Sequence, residues 1–105
     1  MLYMVYGVDK PDGAPIRARA RDEHFKYLEK HAQIIVLGGA TLADLPSDVR
    51  TGSVLIINVK SRDEADEFAR NEPFNKAGLF SRQTVTRMRR GQWKPEAAPK
   101  TAEGD

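Results

Sequence analysis

The join between residues 58 and 64 constrains this chain more than any other part of it. Gly52-Ser53-Val54-Leu55-Ile56-Ile57-Asn58-Val59-Lys60 is dense in β-branched and long apolar side chains, the composition of a strand. Ser61-Arg62-Asp63-Glu64 follows at once and spells a capping box. In it the Ser61 hydroxyl accepts from the backbone N–H three residues on, while Glu64 reaches back. Asp63 and Glu64 also suit the positive end of a helix dipole. Ala65, Phe68 and Ala69 fall on the inner face of that helix, and Pro73 ends it.

The rest of the chain supplies the partners. Leu2 to Val8 reads as a strand buried on both faces, bounded by the turn cluster Asp9-Lys10-Pro11-Asp12-Gly13. From Arg17 to Ala32 there is no Gly or Pro, and Ala20, His24, Phe25, Leu28 and His31 recur at helical steps. Gln33 to Ala40 is strand-like, with Gly38-Gly39 suggesting a bulge or a close backbone approach. Leu42 to Arg50 is a loop, and Phe80 to Arg90 a last strand of mixed polarity.

The order β-α-β-β-α-β predicts an α+β fold of ferredoxin-like type, a split sheet with two helices on one face. Apolar residues occupy both parities of the strands, Leu2, Met4 and Val8 with Tyr3 and Val5, and Val54 and Ile56 with Leu55 and Ile57. A bare apolar sheet face suits a two-fold dimer, so a homodimer through the sheet faces is expected. Residues 1–94 read as one domain. Residues 95–105 lack large apolar side chains and read as a disordered C-terminal tail.

Composition narrows the function classes. With 17 Lys+Arg against 15 Asp+Glu the net charge is +2, which gives no reason to expect nucleic acid or an anionic membrane as partner. The arginines at 82, 87, 89 and 90, with Lys94, read as a solvated rim or as dimer salt bridges. Trp93 reads as an interface or packing anchor. No cysteine is present, so thiol catalysis, disulfides and thiolate metal sites are excluded. The longest apolar run, Val54 to Ile57, is far short of a membrane span. No secretory leader is evident, and the expected location is the cytoplasm.

Nucleotide-, phosphate- and metal-binding signatures are missing. His24 and His31 are the two histidines; two helical turns separate them, about 10 Å along the axis, which argues against a shared metal. His24 lies on the inward stripe with Ala20 and Leu28. It reads either as a core-edge histidine satisfied by one hydrogen bond or as a functional imidazole. His31 falls near the helix C-terminus, where an imidazolium meets the negative dipole end. Glu72 continues the stripe of Ala65 and Phe68 to the end of the second helix. It is either splayed into water or, partly desolvated, seeks a partner that an inward His24 can provide.

Arg21, His24 and Tyr27-Leu28 on the first helix, Gly39 after the second strand, and Glu72-Pro73-Phe74-Asn75-Lys76-Ala77-Gly78-Leu79-Phe80 together resemble the YciI-like (YCII-related) family over roughly residues 1–90. Glutamate stands at Glu72 where the family usually has aspartate, and Ala40 where many members have proline. The resemblance implies a dimeric ferredoxin-like α+β barrel with a His–carboxylate acid/base pair, here His24 and Glu72. Gly39, Pro73 and Phe74 would border the substrate, with no metal and no cofactor. The expected function is acid/base chemistry, an isomerisation or elimination, on a small cyclic or aromatic organic ligand. A non-catalytic dimeric binding or assembly module and a small oxygenase of the dimeric barrel type are the alternatives.

Overall fold

Alternation along the first strand decides how the sheet sits. In β1 (Leu2–Asp9) Tyr3, Val5 and Gly7 are buried, while Leu2, Met4, Tyr6 and Val8 are half-buried on the opposite face. The expectation of burial on both faces is therefore met on one face only in the single chain. The computed structural model describes residues 1–104, and Asp105, the end of the expected tail, lies outside the described residues.

After β1 come α1 (Ala14–Lys30), a single 3₁₀ turn at Ala32–Ile34, β2 (Ile35–Leu42) and β3 (Arg50–Asn58). Then follow α2 (Arg62–Asn71), the four-residue α3 (Pro73–Lys76) and β4 (Phe80–Met88). The strands pair antiparallel in the order β2-β3-β1-β4. The split βαβ order with two main helices makes this an α+β protein of ferredoxin-like topology.

The register sets the core. Tyr3 pairs with Ile57 and Val5 with both Leu55 and Val85, so these side chains share one face. Ala65, Phe68 and Ala69 of α2 pack onto that face, with Tyr27 and Leu28 of α1 at its border. Both helices thus cover the same side of the sheet. Ile57 is completely buried; removing such a side chain from water contributes about 1.5–3 kcal/mol.

Local chemistry fixes the boundaries. The Ser61 hydroxyl accepts from the Glu64 N–H at 3.2 Å, and the Glu64 carboxylate accepts from the Lys60 N–H at 3.0 Å. The return bond of the capping box thus lands one residue earlier than the usual pattern. α1 begins before Arg17 because Pro15 sits in its first turn, where a missing N–H costs nothing. The register of β2 shifts between Ile35 and Leu37 and again between Thr41 and Leu42, so the irregularities flank Gly38-Gly39.

Phe25 does not join the core: it is 58% exposed, turned out of the stripe that holds His24. Trp93 is also exposed, with the Arg90 guanidinium 5.7 Å from its ring centre. Within the single chain it anchors no core packing. Residues beyond β4 include a short 3₁₀ turn at Pro95–Ala97. Among the described residues no helix is long and apolar enough to cross a membrane.

Candidate active site

Glu72 ends one helix and begins another. Its backbone is extended (φ −63°, ψ 128°), and it serves as C-cap of α2 and N-cap of α3. Oε1 of its side chain accepts from the Phe74 N–H at 3.2 Å. Pro73 occupies the first turn of α3, where its ring fits the helix and its lack of an N–H is harmless. The result is a carboxylate turned inward, only 2% exposed.

A buried carboxylate is costly unless it is paired. His24 of α1, 6% exposed, supplies the partner: its Nδ1 lies in hydrogen-bond contact with Oε1 of Glu72. The extra methylene relative to aspartate does not part the two groups. Phe74 stacks on the His24 ring at 3.8 Å between centres, with the planes 14° apart. The imidazole is held by a hydrogen bond at one edge and an aromatic ring on its face.

Phe74 is itself held. The Arg17 guanidinium lies 4.7 Å from its ring centre. Arg17 donates from Nε and Nη2 to the two carboxylate oxygens of Asp9, each at 3.0 Å, and from Nη2 to the Gly52 carbonyl at 3.0 Å. A Cβ on Gly52 would stand 2.3 Å from the Gly7 carbonyl oxygen, so this close crossing of β3 and β1 requires glycine.

These groups border a cleft of about 860 Å³ between α1 and the β2–β3 edge. Arg17, Arg21, His24 and Phe25 line one side, and Gly38, Gly39, Arg50 and Ser53 the other, with Phe74 at the His24 end. His24 forms its hydrogen bond through Nδ1 alone, and no buried side-chain nitrogen or oxygen among the described residues lacks a partner. Nε2 is therefore the nitrogen open to the cleft.

Of the residues expected at the site, the structure brings together His24, Glu72 and Phe74, with the Gly39 backbone in the cleft lining. Pro73 stands outside the lining and acts through the turn. Gly38 is the more demanding glycine: a Cβ there would meet Leu55 Cδ2 at 2.6 Å, whereas the space about Gly39 is open. Arg17, Arg50, Ser53 and Phe25 were not expected in the site. Their placement depends on strand register and helix start, which hydrophobic periodicity does not specify.

The second histidine lies elsewhere. The His31 ring packs 4.4 Å from Tyr27 and meets Phe68 edge-on at 5.5 Å. Burial, and then the neighbouring Lys30 ammonium, push its pKa below the ordinary histidine value. The expected imidazolium at the helix end is thus disfavoured, and the backbone N–H of His31 caps α1 instead. Tyr27 donates to the Phe68 carbonyl at 2.9 Å. Burial raises its pKa first, with the Glu72 and Glu67 carboxylates adding to the effect.

The family model of the YCII-related domain matches residues 1–89. The chain belongs to the YCII-related family. No curated protein matches it. Among solved structures, this YCII-related chain is similar to 5-chloro-2-hydroxyhydroquinone dehydrochlorinase (TftG) from Burkholderia phenoliruptrix AC1100 in complex with 2,5-dihydroxybenzoquinone. The two are 37% identical, with a TM-score of 0.81 over 87% of this chain and 96% of that one.

Proposed function

We propose that this YCII-related protein is an enzyme that moves a proton on a small hydroxylated ring, in an elimination or an isomerisation. The observation that carries this reading is the buried His24–Glu72 contact beside an open cleft. With Nδ1–H donating to the carboxylate, the imidazole keeps a lone pair on Nε2. The 37% identical dehydrochlorinase, named for a chlorinated hydroquinone and holding a dihydroxyquinone, supports a ring substrate.

In the proposed step Nε2 of His24 takes a proton from a ring hydroxyl or ring carbon. The electron pair left behind shifts into the ring. In an elimination His24 delivers that proton to the ring carbon bearing the leaving group. It then accepts the proton of a second ring hydroxyl as the leaving group departs with its bonding pair, so the ring loses HX in all and becomes a quinone. In an isomerisation the proton returns to another ring carbon. Glu72 stabilises the imidazolium between the two transfers. Positioned acid–base help of this kind is worth on the order of 10²–10⁴ in rate. The step draws on no cofactor. The working unit proposed is a homodimer joined through the outer faces of the sheets.

The test uses 5-chloro-2-hydroxyhydroquinone for chloride release, and its chlorine-free parent in D₂O for deuterium uptake at ring carbons. The wild type is expected to accelerate at least one of these, and His24→Ala to lose about 100-fold or more while keeping its fold. Neither chloride release nor ring deuteration above background would overturn the reading.

A further inference from the structure

The cleft carries a charge imbalance that the proton chemistry does not use. Its lining holds the cations Arg17, Arg21 and Arg50 and a single acid, Glu29. Arg17 is already committed, bound to both oxygens of Asp9 and to the Gly52 carbonyl. The side chains of Arg21 and Arg50 take no ion pair or hydrogen bond among the described residues. They approach the cavity from different elements, Arg21 from α1 one turn before His24 and Arg50 from the first position of β3. The chain as a whole is nearly neutral at +2, so this is a local feature.

Two guanidinium groups that border one cleft from different elements suit an anion, because each presents several N–H donors in one plane. The surroundings are aromatic. Phe25, more than half exposed, lies at the cleft, and Phe74 stands behind His24. An anionic group attached to a ring satisfies both features at once. A simple inorganic anion leaves the aromatic walls unused, and a neutral ring leaves the arginines unused.

We propose that the substrate enters as an anion, a ring bearing a carboxylate or an ionised hydroxyl, and that Arg21 and Arg50 are the residues that select its charge. This rests on the reading of the cleft as a ring-substrate site and adds a charge requirement to it. A substrate anion also prepares the proposed step. An ionised hydroxyl already holds the electron pair that moves into the ring, and the arginines orient it while His24 handles the remaining proton.

The probes are 2,5-dihydroxybenzoquinone, which ionises as a vinylogous carboxylic acid, and its neutral dimethyl ether, titrated calorimetrically into wild type, Arg21→Gln and Arg50→Gln. Wild type should bind the anion at least about tenfold more tightly than the ether. Each substitution should weaken the anion about three- to tenfold and leave the ether unchanged, and the wild-type preference should shrink with added salt. Equal binding of the two probes would overturn the charge requirement while leaving a ring site intact. A preference that survives both substitutions would overturn the assignment of the selection to Arg21 and Arg50. Failure of both probes to bind wild type would overturn the ring site and this inference together. Anion preference in a wild type that neither releases chloride nor deuterates the ring would overturn the catalytic reading and leave this one standing.

Discussion

At the residue scale, one carboxylate oxygen serves two donors, the Phe74 N–H and the His24 ring. Substitutions at Glu72 can therefore be sorted by what they leave unpaired. Glu72→Gln keeps an acceptor oxygen and should keep the fold, but it removes the carboxylate charge beside the His24 ring. Turnover should fall about 10- to 100-fold, and ¹⁵N shifts of His24 should show the ring proton divided between Nδ1 and Nε2. Glu72→Ala leaves two buried donors without an acceptor, at about 1–3 kcal/mol each, visible as a lower urea midpoint. His31 supplies the pH test. Its folded-state pKa lies below the ordinary 6.5, so between the two values the unfolded chain binds more protons. That contribution is complete above 6.5 and is lost as pH falls through the folded value. His31→Gln should flatten this part of the stability profile, measured by urea unfolding across about pH 5 to 7.5.

At the scale of elements, α2 was the most legible, because its start, inner face and stop are all written in side chains. Its cap is open to a direct test: Ser61→Ala should cost about 1 kcal/mol in chemical denaturation, and Ser61→Asp should restore most of it. α3 was not legible. Four residues are too few to show a period, and glutamate is not a favoured N-cap, so Pro73 read only as a stop. The candidate site divides along the same line. His24 and Glu72 stood out because each continues an apolar stripe at helical spacing, and the family motif pointed to the same two positions. Arg50 and Ser53 reach the cleft through cross-strand pairing, which no local pattern encodes. The Arg17–Asp9 pair was hidden for another reason: it depends on where α1 begins, and Pro15 makes that start look like a break.

At the scale of the whole molecule, the outer face of the sheet is the unfinished part. Leu2, Met4, Tyr6, Val54 and Ile56 lie half-buried there, and Leu37 of β2 and Leu45 of the following loop are 66% and 89% exposed. Sedimentation at micromolar concentration should give twice the 11.8 kDa of the chain. Met4 and Ile56 are direct cross-strand partners, so Met4→Arg with Ile56→Arg places two like charges on one spot of that face. The double variant should sediment as a monomer; a wild-type monomer would remove the dimer from the account. The shared oxygen of Glu72 has an evolutionary corollary as well. Because the atom that restrains the His24 ring also shapes the bend between α2 and α3, a lineage cannot relax one without loosening the other. Replacements that spare the fold are therefore restricted to side chains that keep an acceptor oxygen at this point.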